Sequence, residues 1–326
     1  MSGGFVHHID PVLATVGGVH LWWYGAGFAA GFVTLHRFAM RERMRLGLTR
    51  NDVWALSLLM TVGTLAGGRL VQVVFDEWPF YSSHPAFLPV FWLGGMATHG
   101  LLAGSAVAAA VFAWRWQVPF LALADALVIP GAVLLGTGRV GNFIDGQIVG
   151  RVTDVWWAVQ FPYAEGFRHP VVLYDGVKNL VLAGYLWHVR RTAATPGAVA
   201  ARFVFWYAAP RILIDLFRDY PAHRLELGTG QTLNIVMAVL GAVLLVRSRL
   251  RRLGRLHPQF APRRVPVPAV DLAPSPGRRV VFGMVVAACL TMPSNWTQDV
   301  PRRYGDRHPG LAHSWLYPPL EWSPPQ

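Results

Sequence analysis

The sequence predicts an all-α integral membrane protein of seven transmembrane helices, with the N-terminus outside. Three observations predict it. Of 326 residues, 53% are hydrophobic and 14% are charged, with a mean hydropathy of +0.36; a soluble domain carries about 25% charged residues. Seven apolar runs approach or reach the roughly 17–25 residues that a spanning helix needs. Basic residues follow the odd-numbered runs, as expected of loops retained on the cytoplasmic side.

The runs follow in order. Run 1, 13–35, leads into Arg37, Arg41, Arg43, Arg45 and Arg50. Run 2, 53–74, leads into "FDEWPFYSSHPAF", which has no Lys or Arg. Run 3, 87–113, is followed by Arg115 alone, between Trp114 and Trp116. Run 4, 119–137, is followed on the outer side by the glycine-rich "GRVGNFIDGQIVGR", read as a polar loop. Run 5, 171–189, precedes Arg190 and Arg191; run 6, 202–217, returns; run 7, 232–248, ends among Arg247, Arg249, Arg251 and Arg252. An eighth apolar run, 280–292, is short for a span.

The net charge of +12 sits in short blocks between apolar runs. That is the pattern of membrane topology, and it argues against a nucleic-acid partner. Cys289 is the only cysteine, which excludes an intramolecular disulfide and a cysteine-based metal site. No metal or cofactor is expected. The N-terminus lacks a basic leader, so no cleaved signal peptide is expected there.

Charged groups inside apolar runs are costly, and they mark cavities or partners. Arg69 lies in "LAGGRLVQVV" and His99 in "LGGMATHGLLAG". Arg139 and Asn142 open the glycine-rich stretch, which also holds Gln147 and Gly150. Tyr207, Arg211 and Asp215 share "YAAPRILIDLFRDY", the last two at i and i+4 on one helix face. Several arginines with few acids suit a phosphate, whose oxygens match the guanidinium fork. In a membrane that phosphate is a phospholipid headgroup. Each residue also has a plain structural reading. Arg211–Asp215 serves equally as an ion pair, His99 as a hydrogen-bonded core group, and Tyr24 as part of an aromatic belt with Trp22 and Trp23.

Taken together, "HLWWYG", "GGMATHGLLAG", "GRVGNFIDGQIVGRVTD", "FPYAEGFRHPVVLYDG", "YAAPRILIDLFRD" and "TGQTLNI" resemble, in order, the motifs of prolipoprotein diacylglyceryl transferases. The resemblance implies a transferase-like membrane domain over 1–249, a cytoplasmic Arg/Pro-rich linker over 250–279, and over 280–326 a short apolar segment with an irregular Pro/Trp/Arg tail. It implies transfer of a diacylglyceryl group from phosphatidylglycerol to the lipobox cysteine of a prolipoprotein signal peptide, in the bacterial inner membrane. It also implies that Arg139 and Arg211 hold phosphate, that His99 and Tyr24 act in catalysis, and that Asn142, Gly150, Gln147, Asp215, Arg69 and Tyr207 bind substrate. It leaves the acceptor of the thiol proton open. Gln147 stands where the family usually has an acid, and Asp215 where it usually has Glu. A non-catalytic phospholipid-binding protein on the same fold is the alternative. A small-solute transporter predicts an internal repeat, and none is evident.

One feature of this chain lies outside the resemblance. "GRRVVFGMVVAACLTMPS", 277–294, has two arginines, a short apolar stretch, and Val286-Ala287-Ala288 before Cys289. That is the layout of a lipoprotein signal. The plainer reading, a short eighth helix whose small residues pack against helix 7, is the expected one.

Overall fold

The computed structural model describes residues 4–193, 195–219, 229–254 and 273–294. Most of the expected linker, and the tail beyond 294, lie outside these residues. The described chain is mostly helical: α1 Trp23–Leu46, α2 Arg50–Val71, α3 Trp78–Ser83, α4 Thr98–Trp116, α5 Phe120–Ile144, α6 Val171–Val189, α7 Ala198–Asp215, α8 Thr229–Arg252 and α9 Pro276–Cys289. Arg50–Asp76, Phe120–Ile144 and Gly230–Arg252 are long and apolar enough to cross a membrane.

Apolar clusters fill much of the interior, but large apolar side chains also cover the outside and a polar set is buried among the helices. Val62, Leu70, Val107, Val181, Leu213 and Val239 are exposed on the outer faces. Ser57, Thr61, Thr64, Asn142, Asp175, Asn179, Arg211, Asp215 and Asn234 are buried. Lipid solvates the first set, and only protein partners can satisfy the second.

Three expectations are corrected. The chain is not purely helical, because short strands cap it: β1 (Phe5–Val6) pairs in parallel with β4 (Val159–Gln160), and β2 (Val12–Val16) pairs antiparallel with β3 (Val19–Trp22). The start of expected helix 1 is therefore a hairpin. Gly17 and Gly18, at φ +58° and +81°, form its two-residue turn, a geometry that glycine adopts without penalty. Helix 3 begins at Thr98 rather than 87, because Gly94 and Gly95 take positive φ and stop regular structure before it. The glycine-rich stretch is no loop in its first half: α5 runs on to Ile144. Its glycines are packing positions. A Cβ at Gly141 would stand 2.6 Å from Tyr24 Cα, and one at Gly136 would stand 2.7 Å from Leu180.

Small residues also set the α2–α4 seam. A Cβ on Gly67 would meet the Gly100 carbonyl oxygen at 2.4 Å, and one on Gly104 would meet that of Gly63 at 2.1 Å. Each helix thus offers a glycine pair four residues apart, which brings the backbones into contact. At one end, Thr49 and Asp52 form a reciprocal capping box on α2, and Asp52 also accepts from Trp116 Nε1 at 2.9 Å. The short helix α9 packs on α1 and α2 rather than in the place expected beside helix 7.

Candidate functional site

Three helices bring cations to one buried carboxylate, and two more join the network around it. Asp175, on α6, is fully buried. Its Oδ2 accepts from Arg139 Nε of α5 at 2.6 Å and lies 3.1 Å from Arg211 Nη1 of α7; its Oδ1 lies 2.9 Å from Lys178 Nζ, one turn along α6. Arg211 continues to Asp215 Oδ1 at 2.9 Å. Asn234 of α8 donates its amide to Asp215 Oδ2 at 3.2 Å and turns its Oδ1 to His99 Nε2 at 3.4 Å. The network closes at the start of α4, where Arg139 Nη2 donates to Thr98 Oγ1 at 3.0 Å beside His99.

The sequence explains this convergence. Arg139 and Asn142 sit three residues apart on the end of α5, so they share a face, and Arg139 Nη1 donates to Asn142 Oδ1 at 3.2 Å. Arg139 spends three of its five N–H groups on protein partners, and the remaining donors can serve a ligand. Among the described residues of the cluster, three cations surround two carboxylates. That leaves one positive charge in excess, and guanidinium forks are suited to anionic oxygens. Because Asn234 gives its amide hydrogens to Asp215, its oxygen faces His99. A neutral His99 then donates from Nε2 and keeps Nδ1 as a proton acceptor.

The other expected residues divide. Tyr207 is buried within the cluster: Lys178 Nζ stands 4.3 Å over its ring and donates to its carbonyl at 2.9 Å. Tyr24 is buried against Phe28 and backs the end of α5 through Gly141. Gln147 is buried where the chain turns out of α5, its backbone N–H on the Asn142 carbonyl at 3.1 Å. Gly150 acts through its size. A Cβ there would stand 2.4 Å from the His169 carbonyl oxygen and 2.8 Å from that of Phe217. The chain passes between those strands of backbone only as glycine. Arg69 belongs to another structure. Its guanidinium donates to the Gly94, Phe87 and Val90 carbonyls and lies over the Tyr81 ring.

Asp175, Lys178, Thr98 and Asn234 were not singled out by sequence. One signal existed: Lys178 is the chain's only lysine, and it stands inside an apolar run. Outside the helices, His169 Nδ1 meets the Tyr174 hydroxyl at 3.1 Å, and partial burial lowers the pKa of its ring.

Comparison with known proteins agrees on this region. A family model described as prolipoprotein diacylglyceryl transferase matches residues 11–247. A phosphatidylglycerol–prolipoprotein diacylglyceryl transferase of Geobacter sulfurreducens is 37% identical over 256 residues, covering 76% of this chain and 98% of the relative. One of Nitrosomonas europaea is 34% identical, covering 72% of this chain and 88% of the relative. One of Mannheimia succiniciproducens is 36% identical, covering 74% and 94%.

Proposed function

This chain belongs to the prolipoprotein diacylglyceryl transferase family, and we propose that its buried basic cluster holds the phosphate of phosphatidylglycerol while the diacylglyceryl group passes to a prolipoprotein cysteine. The chain is a bacterial membrane transferase of lipoprotein maturation. The observation that carries the site reading is the convergence of Arg139 and Arg211 on one oxygen of Asp175. A carboxylate clamped between two guanidiniums fixes both forks, and fixed donors stabilise developing charge without reorganising.

The chemistry follows from the groups present. The sulfur of the substrate cysteine attacks the glyceryl carbon of the lipid. The S–C bond forms as the C–O bond to phosphate breaks. Glycerol phosphate leaves with the electron pair and, in net balance, with the thiol proton. A free thiol has a pKa near 8.5 and is mostly protonated at neutral pH. His99 Nδ1 is the acceptor we assign for that proton. Arg139 and Arg211 hold the phosphate as its charge grows, and Asn142 orients Arg139. Tyr24 shapes the wall beside α5. Asp215 still reaches Arg211 with its shorter side chain, which supports an active enzyme over a non-catalytic relative. Gly150 and Gln147 hold the chain in place where it leaves α5.

The topology we propose has seven spans, α1, α2 and α4 to α8, in the inner membrane. The basic ends of α1 and α8 lie inside and the N-terminus outside. Complementation of a transferase-depleted strain tests the function, with the thioether on a reporter lipoprotein read by mass spectrometry. Growth with the diacylglyceryl mass on the cysteine is expected. A stably inserted chain that leaves the reporter thiol unmodified overturns the reading.

A further inference from the structure

The helix α9 lies beyond the region that the family model matches, which ends at residue 247. It nevertheless fills a groove in the family fold, between α1 and α2. Its N-terminal end is held at the start of α2: Ser275 N–H donates to Asn51 Oδ1 at 3.0 Å, and Arg278 Nη1 donates to the Asn51 carbonyl at 3.1 Å. Midway, Phe282 packs edge-on against Trp54 and tilted against His36, at ring separations of 5.6 and 5.4 Å. Its far end lies at the start of α1. Trp22 N–H donates to the Leu290 carbonyl at 2.8 Å, and a Cβ on Gly25 would stand 2.0 Å from the Cys289 carbonyl oxygen. Only glycine lets the segment close there.

This end reaches the candidate site. Cys289 and Met292 share a buried cluster with Tyr24 and Phe28. Ser294 N–H donates to Asp145 Oδ2 at 3.2 Å, and Gly95 N–H donates to the Ser294 carbonyl at 2.9 Å. Asp145, three residues beyond Asn142, caps the C-terminal end of α5. Under the proposed topology, the arginines of α9 lie inside and Ala287-Ala288-Cys289 lies at the outer end. That is the orientation, charge order and residue order of a lipoprotein signal helix. Among the described residues, the polar anchors lie at the two ends, and Phe282 holds the middle by ring contact with Trp54 and His36.

We propose that the α1–α2 groove is the docking surface for the signal helix of the protein substrate, and that α9 is its resident occupant, which must leave before that helix can enter. The partner this surface fits is an apolar helix with basic residues at its inner end and small residues before a cysteine at its outer end. The inference rests on the transferase reading for its choice of partner. It makes α9 a built-in competitor, so substrate affinity is reduced by the fraction of enzyme in which α9 is seated.

A reversible lock tests this in the full chain. Trp54→Cys and Phe282→Cys are introduced in a Cys289→Ser background and joined by a bis-methanethiosulfonate linker that dithiothreitol removes. Each single-cysteine variant, treated alike, is the control. Two readouts are taken: thioether formation on a test prolipoprotein, and photocrosslinking of a synthetic signal peptide, mapped by mass spectrometry. The lock is expected to lower the rate at least about tenfold and to abolish crosslinks to α1 and α2, both restored by reductant. A locked enzyme as fast as the unlocked one, or peptide crosslinks to α1 and α2 that persist in the locked form, overturns the proposal. Peptide crosslinks that appear only on unlocking, with no thioether in any form, uphold the groove and reject the transferase reading instead.

Discussion

Arg69 and the Arg139–Arg211 pair begin alike, as arginines inside apolar helices, and end in opposite roles. Arg69 gives its guanidinium to three backbone carbonyls of the 87–94 segment and to the face of Tyr81. It staples an irregular stretch to the end of α2. Burial raises the Tyr81 hydroxyl to about 12, so the ring beneath Arg69 stays neutral. Arg139 and Arg211 instead share the Asp175 carboxylate, and a third cation, Lys178, joins them. A buried arginine is therefore no site by itself. What distinguishes the pair is convergence from separate helices on one buried acid, with donors to spare on Arg139.

The largest effect expected is from Asp175→Asn. It leaves three cations without their common anion, and breaking a buried pair costs about 3–5 kcal/mol. Thermal unfolding in detergent should show a marked drop; an unchanged midpoint would mean that the cluster is not held by Asp175. Next comes Arg69→Met. It strands loop carbonyls, at about 1–3 kcal/mol for each buried group left unsatisfied. Stability should fall, while activity per folded molecule stays near the parent value. A specific loss of activity in the folded enzyme would erase the contrast between the two regions.

Thr98→Val is a finer probe. It removes one hydrogen bond to a charged group, about 1.5–3 kcal/mol, and keeps the shape. Turnover with phosphatidylglycerol should fall while the fold persists, because Arg139 loses the contact that aims Nη2. Equal turnover would put that contact outside the mechanism. The smallest effect concerns His169. Its pKa is lowered in the folded protein by burial. Its contribution to stability is therefore full above the unfolded value of 6.5 and is lost as pH falls below it. An NMR titration should place the midpoint under 6.5; a midpoint at or above it would contradict the burial argument.

Much of this was legible in the sequence. The bounds 171–189 for α6 stand unchanged. Arg139, Asn142, Arg211, Asp215 and His99, picked out as polar groups in apolar runs, meet in one network. Other features were hidden for physical reasons. Glycines serve loops and close helix packing equally, and only the presence of Tyr24 across from Gly141 decides between them. The hairpin at 12–22 is as apolar as a span, so hydropathy alone extended helix 1 over it. Asp175 and Lys178 escaped because their meaning lies in α5 and α7, which sequence distance does not reveal. The seat of α9 on α1 and α2 is likewise a matter of tertiary packing.

The central claim is that the Arg139–Arg211 pair, and not Arg69, holds the lipid phosphate. The direct measurement is the rate of thioether formation on a test prolipoprotein by purified Arg139→Lys, Arg211→Lys and Arg69→Lys enzymes, side by side in phosphatidylglycerol micelles. Lysine keeps the charge and loses the fork. The first two variants should slow by about 10²-fold, as expected when a donor to developing charge is lost, and the third should keep most of the parent rate. Equal rates for all three would contradict the account.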